Sequence, residues 1–137
     1  MRKPIYWILN FTDNLPNDEE RIKCLQANGV EAVKIILKYA FDPRIKWLLP
    51  EGAPPYTPSE NSNMDSMLYS EARKFYLFVE GGNDNLNQIK RERIFIDILE
   101  NIHPEDAKLV LNVKDKKLPY KNIGKRLVKK AFPELFA

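Results

Sequence analysis

The chain has 137 residues, 44% hydrophobic and 30% charged, the size of one ordinary globular domain with apolar material for a single core. A lone cysteine, Cys24, excludes an internal disulfide and a zinc knuckle, and a lone histidine, His103, leaves little from which to build a nucleophilic triad or a transition-metal site. Net charge is only +3, and the apolar runs are too short for a signal peptide or a membrane span, so a soluble intracellular protein without metal or cofactor is expected.

Pro4 to Asn14 is expected to form a first helix with Ile5, Ile8, Leu9 and Leu15 inward. Asn17 precedes Asp18, Glu19 and Glu20, the pattern of a capped start with acids set against the helix dipole, and the helix it opens runs to Gly29. Val33, Ile36, Leu37 and Ala40 recur at helical spacing within Val30 to Phe41. Asp42-Pro43 ends that third helix, because a residue before proline avoids the helical region. Arg44 to Leu49 leaves room for one short turn. Pro50 to Asn63 then holds Pro50, Pro54, Pro55 and Pro58 among Gly52, Ser59, Asn61 and Ser62. It reads as a long exposed and mobile loop, from which Pro54 to Ser62 could be deleted without loss of the fold.

Met67, Leu68, Ala72, Phe75, Tyr76 and Val79 predict one amphipathic helix closed by Gly81-Gly82, with Asn83-Asp84 as the next cap. Leu86, Ile89, Ile94, Phe95, Ile96, Ile98, Leu99 and Ile102 give a helix with a wide apolar arc, read as the central one. His103-Pro104-Glu105-Asp106 is a start signal, which makes His103 a turn residue rather than a base. Helices over Pro104 to Val113 and Lys121 to Ala131 complete an all-α domain of six to seven helices spanning residues 1–137. The glycines punctuate helices, and no GxGxxG or GxxxxGK phosphate loop occurs.

Charge is unevenly distributed. Lys108 to Lys130 carries eight Lys and one Arg against a single acid, Asp115, so this stretch is strongly positive while the remainder is net acidic. A concentrated positive face is what phosphate binding requires, although lysines on a helix also serve plain solubility. Carboxylates elsewhere fall at helix starts, where the dipole accounts for them without catalysis.

In order and spacing the segments resemble the all-helical N-terminal DNA-binding domain of phage-type ATP-dependent DNA ligases. The shared features are Ile8-Leu9-Asn10 in an opening helix, a Gly82-Asn83 turn before a long helix, Asp115-Lys116-Lys117-Leu118, and Val128-Lys129-Lys130-Ala131-Phe132-Pro133. The resemblance implies contact with the duplex minor groove and backbone through Lys116 and Lys117 in the turn and through Lys129 and Lys130 in the last helix. Lys121, Lys125 and Arg126 fall on the same element, which carries about one extra residue near Pro119-Tyr120, and Lys114 completes the candidate set. Leu118-Pro119-Tyr120-Lys121 replaces the glycine-containing turn of the ligases. The Lys-x-Asp-Gly motif of their catalytic domain is absent, so a non-catalytic module without cofactor is implied.

Tyr39 to Tyr56, YAFDPRIKWLLPEGAPPY, also resembles small uncharacterised proteins of T4-like and cyanobacterial phages, which implies the cytoplasm of an infected bacterial host. The functional expectation is a phage DNA-binding accessory protein with double-stranded DNA as its partner. The alternative is a factor docking on a host or phage polymerase, clamp or nuclease through Trp47, Leu48 and Tyr56, or through Phe132 to Phe136.

Overall fold

Apolar residues at helical spacing place seven α-helices along the computed structural model, which describes residues 2–61 and 63–137. They are α1 (Ile5–Asp13), α2 (Asp18–Ala27), α3 (Glu31–Phe41), α4 (Met67–Glu71), α5 (Gln88–Glu100), α6 (Pro104–Lys114) and α7 (Lys125–Ala131), with a 3-10 helix at Ala72–Phe78. Among the described residues no β-strand occurs, and no helix is long and apolar enough to cross a membrane. Ser62 lies outside the described residues.

Local signals set most boundaries. Asn17 accepts the Glu20 N–H at 2.9 Å and opens α2. His103 Nδ1 accepts the Glu105 N–H at 3.0 Å, with Pro104 behind it as the first residue of α6. The imidazole is thus a cap, as the start signal implies. α5 is capped by Asn87, whose side chain accepts from Ile89 and Lys90, and not by Asn83 or Asp84. α7 begins at Lys125 rather than Lys121, because residues 120–124 form a turn in which Asn122 is tied to Asp13 by its backbone and side-chain N–H groups at 2.8 and 2.9 Å.

The expected amphipathic helix over residues 67–79 is split. Its second half tightens to 3-10 geometry, burying Ala72, Phe75 and Phe78 at a spacing of three and leaving Tyr76 exposed. A 3.0-residue turn brings i, i+3 and i+6 into line, so Ala72, Phe75 and Phe78 fall on one buried edge. Residues 42–45 form one short turn, closed by Ile45 N–H on Asp42 C=O at 3.1 Å, and the residues after it up to Leu49 are not helical. Trp47 and Val79 form an isolated antiparallel bridge, flanked by Leu48 N–H to Phe78 C=O at 2.7 Å and Glu80 N–H to Lys46 C=O at 2.8 Å.

α3 and α6 pack together at the centre of the core, with α1 and α5 against α6, and α4 and the 3-10 helix against α3. α5, expected to be central, is peripheral: Ile89 at its start is 75% exposed, while Arg91 is buried and donates to the carbonyls of Leu77, Asn83 and Leu86. On α1 the inward set is Ile5, Ile8, Leu9 and Thr12, with Leu15 only half-buried. The Thr12 hydroxyl is satisfied by the Ile8 carbonyl at 2.8 Å and lies 3.1 Å from Cys24 Sγ.

Candidate nucleic-acid interface

The positive stretch divides into two groups with different surroundings. α6 ends in a Schellman closure: Lys116 N–H reaches Val113 C=O at 3.1 Å and Lys117 N–H reaches Asn112 C=O at 2.9 Å, with Lys116 itself at φ 58°. That left-handed residue, unusual for a non-glycine, sends its side chain to the C-terminal end of α3. There its ammonium donates to the carbonyls of Tyr39 at 2.7 Å and Asp42 at 3.0 Å, and burial pulls its pKa below the usual lysine value. Lys116 therefore caps α3.

Lys114 is 4% exposed, with its ammonium on the Pro50 carbonyl at 2.7 Å and on the Asp115 carboxylate. Moving a phosphate to it would require unburying a satisfied cation, so Lys114 is a loop anchor and not a phosphate ligand. Lys117 is exposed and paired with Glu51 at 2.9 Å, which raises its pKa. Lys114 and Lys117 hold the start of the Pro-rich loop, and Lys116 holds the end of α3.

The second group stands apart. Lys125, Arg126, Lys129 and Lys130 are exposed on α7, while Leu127, Val128 and Ala131 are buried against the rest of the domain. At 100° per residue these cations occupy an arc of about 140° on the side away from α2, over a rise of roughly 7.5 Å. Lys121 is exposed in the preceding turn, whose position the Asn122–Asp13 bonds fix. Among the described residues none of these five cations has a carboxylate within ion-pair distance, whereas Lys23, Arg73, Lys74, Lys108 and Lys117 each do.

The dipole of α7 accounts for only part of this. Lys129 and Lys130 in the last turn face the negative end of the helix, but Lys125 and Arg126 occupy the first turn, where cations are unfavourable and no side chain caps the helix. The Lys125 ammonium lies 5.4 Å from the centre of the Phe136 ring, and the Phe136 carbonyl accepts from Arg44 at 3.1 Å. Arg44 in turn grips Asp42 at 2.9 and 3.0 Å, and that grip holds the Asp42 carboxyl down at about 2. The segment after α7 is thereby fastened to the end of α3.

The docking candidates do not form an exposed anchor. Trp47 is half-buried with its ring 5.8 Å from Phe75 and 6.5 Å from Phe78; Leu48 is half-buried and its carbonyl accepts from Gln88 at 2.7 Å. Tyr56 packs on the core, and the next residue, Thr57, donates its N–H to Glu100 at 2.7 Å. With Gly52 N–H on Asp115 at 3.1 Å as well, the Pro-rich loop is pinned at its start and at its middle and is not the detached strap that its composition suggests. Phe132, Leu135 and Phe136 also pack on the core, half-buried.

One exposed group went unread in the sequence. Trp7 and Phe11 lie on the outward side of α1, four residues apart and opposite Ile5, Ile8 and Leu9; that i, i+4 spacing off the apolar face was the available signal. Among the described residues no cluster of His, Cys, Asp and Glu could hold a metal ion.

No curated protein and no solved structure matches the chain. Residues 8–120 match the family of unknown function DUF6433, and the chain belongs to that family.

Proposed function

We propose that the protein is a non-catalytic DNA-binding accessory factor that contacts the backbone of duplex DNA through the α7 face. The observation that carries this reading is the gathering of five exposed cations, Lys121, Lys125, Arg126, Lys129 and Lys130, on one short helix and the turn before it, none with an acidic partner among the described residues. Helix stability does not account for Lys125 and Arg126, which oppose the dipole. A phosphate backbone would satisfy all five.

Recognition would be largely independent of sequence, since lysine meets phosphate as a point charge and one arginine offers little bidentate base reading. The face is small. A rise of roughly 7.5 Å along α7 spans about two phosphates of one strand at about 3.4 Å each, so an isolated contact belongs to the weak non-specific class, Kd about 10⁻⁴–10⁻⁶ M at physiological salt. The resemblance to the ligase DNA-binding domain and to phage proteins agrees with this role and suggests the cytoplasm of an infected bacterium as its setting. Lys129→Glu with Lys130→Glu is the test: duplex binding should fall at least tenfold with the melting temperature preserved, and undiminished binding would refute the α7 reading.

A further inference from the structure

We propose that the outward face of α1 is a site for single-stranded nucleic acid, which stacks an unpaired base on Trp7 and Phe11 and holds the adjoining phosphate with Arg2 and Lys3. The two rings are 39% and 47% exposed, although α1 is already packed through Ile5, Ile8, Leu9 and Thr12. Their centroids are 5.3 Å apart at an interplanar angle of 12°, so the two rings stack on one another and a base would extend that stack at an outer face. Base stacking on such rings is insensitive to base identity, because every base has a π-face.

The charges around this surface complement a nucleotide. The Lys3 ammonium sits 5.0 Å from the centre of the Trp7 ring, and the Arg2 guanidinium sits 4.6 Å from that of Tyr69. Together with Asn28 these side chains border a cavity of about 320 Å³, at the small end of ligand clefts, and no Asp or Glu lines it. The Asn28 side-chain amide already donates to the Cys24 carbonyl at 2.9 Å, which leaves its oxygen to accept from a base N–H. An aromatic platform, two cations, no acid and one hydrogen-bond acceptor fit a base with its phosphate better than a purely apolar peptide.

This site is separate from α7. Cys24 of α2 and Asn28 at its C-terminal end border the α1 cavity, whereas Gln26, on the other side of α2, bonds the Ala131 carbonyl at 3.1 Å at the end of α7. The single-strand proposal therefore stands or falls independently of the duplex reading.

The test titrates the intact chain, at about 50 mM salt where phosphate contacts are least screened, with three fluorescently labelled oligomers of equal length and charge: oligodeoxyuridylate, oligouridylate and an abasic deoxyribose-phosphate strand. Stacking at about 1–3 kcal/mol per base should favour either base-bearing strand over the abasic one by roughly tenfold or more. The preferred sugar then identifies DNA or RNA as the source. Trp7→Ala and Phe11→Ala should each remove most of that advantage and Trp7→Phe should keep it, while Lys129→Glu with Lys130→Glu, which removes base-independent phosphate binding at α7, should not lower the ratio. Equal binding of all three strands, no binding of any, or a ratio unmoved by Trp7→Ala would overturn the proposal. Should an alanine variant misfold, the abasic comparison on the unaltered chain decides.

Discussion

Asp106 in the first turn of α6 accepts the backbone N–H of Tyr6 at 2.8 Å, so a carboxylate one hundred residues distant in sequence caps the start of α1. Its second oxygen is buried without a hydrogen-bond partner among the described residues. Burial pushes this carboxyl up to about 7, reinforced by the negative charges of Asp65 and Glu105 and opposed by the N–H groups of Tyr6 and Ile5. The surroundings are phenolic: Tyr120 donates to the Tyr6 carbonyl at 3.4 Å, and burial raises its own pKa to about 12.

A pH dependence of stability follows. Between about 4 and 7 the folded chain holds the Asp106 proton and the unfolded chain does not, so stability should fall as pH rises through that window, by up to about 1.4 kcal/mol per unit. Asp42 has the opposite sign. Its carboxyl lies at about 2 because Arg44 bonds it, so its contribution is complete above about 4 and lost as pH falls toward 2. Urea unfolding at several pH values should show both limbs, and Asp106→Asn should flatten the upper one. An unchanged slope in that variant would assign the limb to other groups.

Two glycines should respond differently to alanine. A Cβ at Gly82 would lie 1.8 Å from the Tyr76 carbonyl oxygen, a backbone atom fixed by the 3-10 helix, whereas one at Gly29 would meet the Phe132 ring at 2.7 Å. The ring is half-buried and can turn aside. Gly82→Ala should cost about 3 kcal/mol or more, and Gly29→Ala about 1 kcal/mol. Equal costs would show that the Phe132 ring is as immobile as the backbone at Tyr76.

The loop makes a third case. Tyr56→Ala should destabilise by about 1–2 kcal/mol, because a half-buried ring leaves the core, and Glu100→Ala, which frees the Thr57 N–H, should cost about 1 kcal/mol or less. Deleting residues 54–61 should therefore lower the melting temperature clearly. A deletion variant melting with the unaltered chain would restore the picture of an idle loop.

Most helices were legible in the sequence because their signals are local. Asn17, Pro43 and Pro104 mark ends through capping and fixed backbone angles, and the spacing of Val33, Ile36, Leu37 and Ala40 marks a buried face. The 3-10 helix was not, since Phe75, Tyr76 and Val79 satisfy a 3.6-residue period as well as Phe75 and Phe78 satisfy a period of three. The candidate site was half legible. Counting charge along a stretch cannot separate Lys125, Arg126, Lys129 and Lys130, which face outward, from Lys114 and Lys116, whose ammonium groups are held by carbonyls 64 to 77 residues away. Trp7 and Phe11 were hidden among fifteen aromatics, most of them in the core or packed against it.

The most direct test of the α7 reading is the salt dependence of duplex binding, followed by fluorescence anisotropy between about 50 and 200 mM salt. At about −0.9 per contact, the two phosphates of one strand that α7 spans give a log–log slope of about −1.8 and contact by all five cations about −4.5, and loss of Lys129 and Lys130 should make the slope shallower by up to about 1.8. A flat response, or no duplex binding at the lowest salt, would contradict the account.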